Sequence, residues 1–137
     1  MSNMLIQNAT MVLPNTTVVG DLLIENGQIT SIQPGGGIAV ENEIHTVDAT
    51  GLHLLPGIID PQVHFRDPGQ PEKEDLYTGS CAAASGGVTS FLDMPNNVPS
   101  QTTLQSMHEK IATGNQRCVT NFGFFIGATE SNVEELQ

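Results

Sequence analysis

The stretch Leu55-Pro56-Gly57-Ile58-Ile59-Asp60-Pro61-Gln62-Val63-His64-Phe65-Arg66-Asp67-Pro68-Gly69 decides how the chain is read. Apolar and small residues lead into an acid. Polar side chains then recur at alternate positions, at Asp60, Gln62, His64 and Arg66. Alternate residues of an extended strand share one face. The pattern therefore predicts a strand from Leu54 to His64 that projects a carboxylate, an amide, an imidazole and a guanidinium into one space, with Pro68-Gly69 ending it. A buried strand that closes on a row of polar groups points to a site rather than to a core.

Downstream of this strand the pattern alternates. A helix is predicted from Lys73 to about Ser85, stopped by Gly86-Gly87. Val88 to Met94 reads as the next strand, ending in Pro95-Asn96-Asn97. Leu104, Met107 and Ile111 give helical spacing over Thr102 to Thr113, with Thr102 and Gln105 in a capping-box pattern and Gly114-Asn115 as the stop. Val119 to Ala128 reads as a third strand, and Ser131 with Glu134 as the start of a third helix. Strands alternating with helices mean βαβ units and a parallel sheet. A complete eight-stranded barrel needs about 250 residues, so residues 54–137 are expected to be the first three βα units of a longer protein. A three-stranded parallel sheet with open edges makes a poor free-standing domain.

Residues 1–53 read differently, as short strands. Met4 to Leu13 is one. Asp21–Glu25, Asn26-Gly27 and Gln28–Ile32 form a hairpin with a type I′ turn, because both central residues of that turn need positive φ. Gly35-Gly36-Gly37 makes a loop, Glu43 to Val47 a further strand, and Asp48 to Gly51 a turn. The expectation is a small antiparallel β unit.

The 137 residues carry a formal charge of -11, with only Arg66, Lys73, Lys110 and Arg117 as cations. Such a surface repels phosphate backbones, which argues against nucleic acid and anionic membranes as partners. A lone arginine on the site strand instead suits a small anionic ligand. The two cysteines, Cys81 and Cys118, lie outside any CxxC spacing. Neither a signal-peptide pattern nor an apolar run of membrane-spanning length is present, so a cytoplasmic location is expected. No glycine-rich nucleotide-binding motif occurs.

In parallel α/β folds the chemistry lies at the C-terminal ends of the strands. Gln62, His64 and Arg66 fall there on the first strand, Asp93, Asn96 and Asn97 on the second, and Gly127, Ala128 and Thr129 on the third. His64 reads equally as a metal ligand or as a histidine hydrogen-bonded at a strand end. Gln62 offers a neutral amide for hydrogen bonding or weak coordination, or simply a polar group at the sheet's mouth. Arg66 suits a bidentate grip on a carboxylate; a surface salt bridge with Asp67 or Glu72 is the commoner fate of an arginine. Asn96 reads as a ligand-binding amide or as a turn asparagine. Asp60 either orients a ligand from behind or only closes the strand. His45, His53 and His108 read as structural.

These residues together resemble the opening of the cyclic amidohydrolases, and among them of the dihydroorotases. The resemblance lies in PGIID at 56–60, VHFRDPG at 63–69, KED at 73–75, TGSCAAASGGVT at 78–89 and DMPN at 93–96. It implies a (β/α)8 barrel preceded by a small β-sandwich, and one or two zinc ions. The reaction implied is interconversion of N-carbamoyl-L-aspartate and dihydroorotate in pyrimidine synthesis. By position, His64 would be a zinc ligand, Arg66 and Asn96 would hold the substrate carboxylate, and Asp60 would stand behind the metal. Gln62 occupies a place where the family usually has a ligating histidine, so a metal role for it is a departure from the pattern. The remaining ligands and the catalytic acid–base residue would lie beyond Gln137, and the isolated chain is expected to be inactive. The resemblance also implies a homo-oligomer or an aspartate transcarbamoylase complex as assembly. Alternatives of the same frame are a non-catalytic partner of that transcarbamoylase, or an allantoinase or hydantoinase.

Overall fold

The computed structural model describes residues 3–41 and 43–136, with the backbone alone for Glu135. The chain forms two compact units, Met1–Pro56 and Gly57–Gln137.

The first unit is one five-stranded sheet. Strands β1 (Met4–Leu13), β2 (Thr16–Glu25) and β3 (Gln28–Pro34) form an antiparallel meander. The turn between β2 and β3 has φ 53° at Asn26 and φ 80° at Gly27, as the Asn-Gly pair predicts. Strands β4 (His45–Asp48) and β5 (His53–Leu54) then both pair parallel with β1. The sheet is therefore mixed, which corrects the expectation of an antiparallel unit: the chain crosses over after β3 and returns along the free edge of β1. Ala9, Met11, Leu22 and Ala49 make the buried cluster of this unit.

The second unit alternates β6 (Ile58–Val63), α1 (Leu76–Ser85), β7 (Val88–Asp93), α2 (Leu104–Arg117) and β8 (Asn121–Phe124), followed by a short 3-10 turn at Val133–Leu136. The three strands are parallel and ordered β6-β7-β8. The predicted strand Leu54–His64 is thus shorter, since Leu54 belongs to the first sheet and His64 lies one residue past β6. Helix α1 starts later than predicted, because the Asp75 carboxylate takes the N–H groups of Tyr77 and Thr78 and caps it. Its end follows the sequence: the Gly86 N–H bonds to carbonyls of the last turn, and Gly87 adopts φ 81°.

Helix α2 departs from expectation at both ends. Its capping box is Thr103 with Ser106, one residue beyond the predicted pair. It also runs straight through Gly114, which is buried; a Cβ there would come within 2.7 Å of the Phe122 ring. That glycine answers to packing, not to helix termination. Strand β8 ends sooner than predicted: the Phe125 N–H still bonds to the Asp93 carbonyl of β7, but the Gly127 N–H turns to the carbonyl of Gln101. Asn132, rather than Ser131, ties the following turn, accepting from the Thr129 N–H and donating to the carbonyls of Thr102 and Gly127. Phe91 and Leu76 are fully buried, and Phe65, Phe91, Phe122 and Phe124 pack as successive ring pairs.

Candidate functional site at the strand ends

The alternation that predicts one polar face on β6 is broken by a bulge. Asp60 stands opposite Phe91 and Val63 opposite Asp93, so β6 holds one more residue than β7 over this interval. An extra residue reverses the faces beyond it. Asp60 accordingly lines a hollow with Val63, Phe65, Gly79 and Ala82, parted from Gln62 and His64, and its Oδ1 accepts from the Gln62 N–H at 3.0 Å. The shared face of Asp60, Gln62, His64 and Arg66 is thereby corrected. Gln62 itself is exposed.

His64, Arg66 and Asn96 do come together. The Asn96 side-chain amide lies 3.1 Å from His64 Nδ1, and the Arg66 guanidinium donates to the Asn96 carbonyl at 3.3 Å. With the amide oxygen turned toward the guanidinium, it accepts from both terminal nitrogens of Arg66 at 3.1 Å. Arg66 reaches this position with φ 67°. A left-handed conformation in a non-glycine residue carries a strain of about 1–3 kcal/mol and is held only by its surroundings.

Those surroundings are a buried polar network. Asp93 and Asn97, predicted to face the site, are buried below it instead. Lys110 Nζ, from α2, lies 2.6 Å from Asp93 Oδ2 and 3.2 Å from Asn97 Oδ1, and 4.8 Å from the centre of the Phe124 ring. The Lys110 and Asp93 side chains are each 1% exposed. Removing one partner of such a pair costs about 3–5 kcal/mol, because the other charge is left buried alone. Asp67, expected as a partner for Arg66, pairs with Arg117 at 2.7 Å and accepts from the Leu76 N–H at 3.2 Å. The third predicted cluster, Gly127 to Thr129, lies in the loop beyond β8.

Sequence reasoning missed Lys110. Its signal was available: with Met107 and Gly114 it falls on one helical stripe at i, i+3 and i+7, whereas Leu104 and Ile111, which carried the periodicity, are exposed.

The side chains gathered here fall short of a zinc site. His64 offers an imidazole with Nε2 on the side away from Asn96, and Gln62 an amide. Among the described residues no group of three His, Cys, Asp or Glu side chains is placed to hold a metal. Burial pushes the Cys118 thiol up to about 11, so it is protonated at neutral pH. The donors among the described residues do not by themselves fit a zinc site. Among the described residues no helix is long and apolar enough to cross a membrane.

Fold and site together define a parallel α/β unit that gathers an imidazole, a guanidinium and an amide at the carboxyl ends of adjacent strands. Residues 53–137 match the amidohydrolase family, and the chain belongs to it. It is 39% identical to a dihydroorotase of Methanosarcina acetivorans over 132 residues, covering 96% of this chain and 28% of that protein. It is 36% identical to an allantoinase of Deinococcus radiodurans over 135 residues, covering 98% of this chain and 30% of that one. The L-hydantoinase (dihydropyrimidinase) of Arthrobacter aurescens superposes with a TM-score of 0.89 at 27% identity, over 99% of this chain and 30% of that structure. The chain thus spans less than a third of the length of these relatives.

Proposed function

We propose that the protein to which this chain belongs hydrolyses cyclic amides as a dihydroorotase does, interconverting N-carbamoyl-L-aspartate and dihydroorotate in cytoplasmic pyrimidine synthesis. Residues 54–137 would be the opening βα units of its (β/α)8 barrel, and residues 1–53 part of the small β domain. The convergence of Arg66 and Asn96 carries this reading. A guanidinium fork beside an amide grips a planar carboxylate, and a carboxylate is what distinguishes dihydroorotate from the neutral rings of allantoin and hydantoin. The relatives named dihydroorotase support the same choice. One or two zinc ions are implied, with His64 as one ligand and the others supplied from outside these residues.

Gln62 favours a second reading. An amide in place of an imidazole weakens metal binding, which suits a non-catalytic homologue that organises an aspartate transcarbamoylase.

The test is hydrolysis of dihydroorotate, allantoin and hydantoin by the full-length protein with saturating zinc, beside its Arg66→Gln variant. Turnover of dihydroorotate that falls in the variant is expected. Turnover of a neutral ring alone would move the substrate to the allantoinase or hydantoinase class. A folded protein with no turnover would favour the transcarbamoylase partner.

A further inference from the structure

We propose that Lys110 is a positioning residue for carboxylate recognition: it never meets the ligand, but fixes the loop that presents Arg66. The inference rests on the reading of Arg66 and Asn96 as the carboxylate-binding pair.

The geometry is a two-armed brace. From Lys110 Nζ one arm runs through Asp93, whose Oδ2 it meets at 2.6 Å and whose Oδ1 accepts the Phe65 N–H at 3.0 Å. The other runs through Asn97, whose Oδ1 it meets at 3.2 Å and whose amide donates to the Asp67 carbonyl at 3.2 Å. Phe65 and Asp67 flank Arg66, so the two arms end on either side of the residue at φ 67°. Lys110 donates to both arms, to Asp93 and to Asn97. The Phe124 ring, 4.8 Å from Nζ, closes the third side of the ammonium.

A buried ammonium is a poor means of adding stability, since an apolar side chain of similar volume often serves as well when its partner is replaced too. A hydrocarbon, however, cannot hold Asp93 and Asn97 to fixed directions. Without the charge both are free to turn, and Arg66 can relax to ordinary φ, carrying its guanidinium away from Asn96. The ammonium therefore specifies one loop conformation, and with it the selection of anionic over neutral rings.

The experiment compares the full-length protein with Lys110→Met and, should that variant fold poorly, with Asn97→Ala, which cuts one arm and leaves the ion pair. Two quantities are read: amide exchange at Phe65, whose N–H Asp93 holds, and at Gln70, whose N–H the Arg66 carbonyl holds at 2.9 Å, and kcat/KM for dihydroorotate against that for hydantoin. Exchange at Phe65 and Gln70 is expected to quicken over the unmodified protein by more than exchange at Leu92 in mid-strand does. A loss of about tenfold is expected for the anionic ring beyond any loss for the neutral one, the scale of one charge-assisted contact, and it should appear mainly in KM. Equal losses on both rings, or unchanged exchange, would overturn the inference. If Arg66→Gln impairs the anionic ring and Lys110→Met does not, the brace fails while the function stands. If the unmodified protein turns over neither ring, the proposed function fails and the substrate part of the inference falls with it.

Discussion

Asp21 illustrates how a single buried carboxylate can organise a backbone irregularity. The β1–β2 register slips between Ile6 and Ala9, and Asn8, in the slip, takes φ 60°. Asp21 Oδ1 accepts from the Asn8 N–H at 3.0 Å, and Oδ2 from those of Gly37 and Ile38 at 2.8 and 3.2 Å. The Asn8 N–H, aided by those of Gly37 and Ile38, holds this carboxyl below its ordinary value of 3.8 against the opposing effect of burial. Because the folded value is the lower one, the bonds contribute fully above the unfolded value and are lost as pH falls through the folded value. Acid unfolding of the β unit followed by NMR should therefore lose part of its steepness in Asp21→Asn. At neutral pH that variant should lose about 1–3 kcal/mol, since its amide N–H groups face backbone donors. A second substitution at this scale concerns Gln62. Gln62→His in the full-length protein is expected to tighten zinc, because imidazole is the better ligand. Being exposed, the position should change folding stability by no more than about 0.5 kcal/mol. An unchanged zinc titration would remove Gln62 from the metal centre.

Among the elements, α2 sets propensity against packing. Glycine inside a helix is worse than alanine by about 1 kcal/mol, so propensity alone favours Gly114→Ala. A Cβ at Gly114 would stand 2.7 and 2.8 Å from two Phe122 ring atoms and 3.1 Å from Phe124. Overpacking of that kind costs about 1–3 kcal/mol. Packing wins, and chemical denaturation should find Gly114→Ala less stable, not more. The same conflict explains what could be read in advance. Elements set by local chemistry were legible: the Asn26-Gly27 turn, the Gly86-Gly87 stop and the polar strand ends. Features set by distant partners were not. The glycine in α2 looks like a stop until Phe122 is seen against it. The bulge in β6 depends on pairing with β7, and it parts the face of Asp60 from that of Gln62 and His64. Lys110 reads as a surface charge until Asp93 and Asn97 close on it. The convergence of His64, Arg66 and Asn96 was legible because each sits at a strand end, where topology brings neighbours together.

At the scale of the whole molecule, the question is whether these residues hold metal by themselves. The acids of the second unit nearest the strand ends are already engaged. Asp93 is paired with Lys110, Asp67 with Arg117, and Asp60 accepts from the Gln62 N–H. Recruiting Asp93 to a cation would leave the buried Lys110 ammonium without its ion-pair partner, which is unfavourable, and recruiting Asp67 would break its pairing with Arg117. The Cys118 thiol, with its value near 11, would first have to lose a proton at similar disadvantage. Among the described residues His64 is then the one ready ligand at the site, and a single imidazole does not retain zinc against dialysis. The purified 137-residue chain should therefore carry substoichiometric zinc by elemental analysis and hydrolyse no cyclic amide. Added zinc should leave its thermal unfolding unshifted, whereas a specific site filled at a hundred times its Kd would add about 2.7 kcal/mol. One tightly held zinc per chain, with stabilisation of that size, would mean that the engaged acids rearrange around the metal and that the ligand set is complete within these residues.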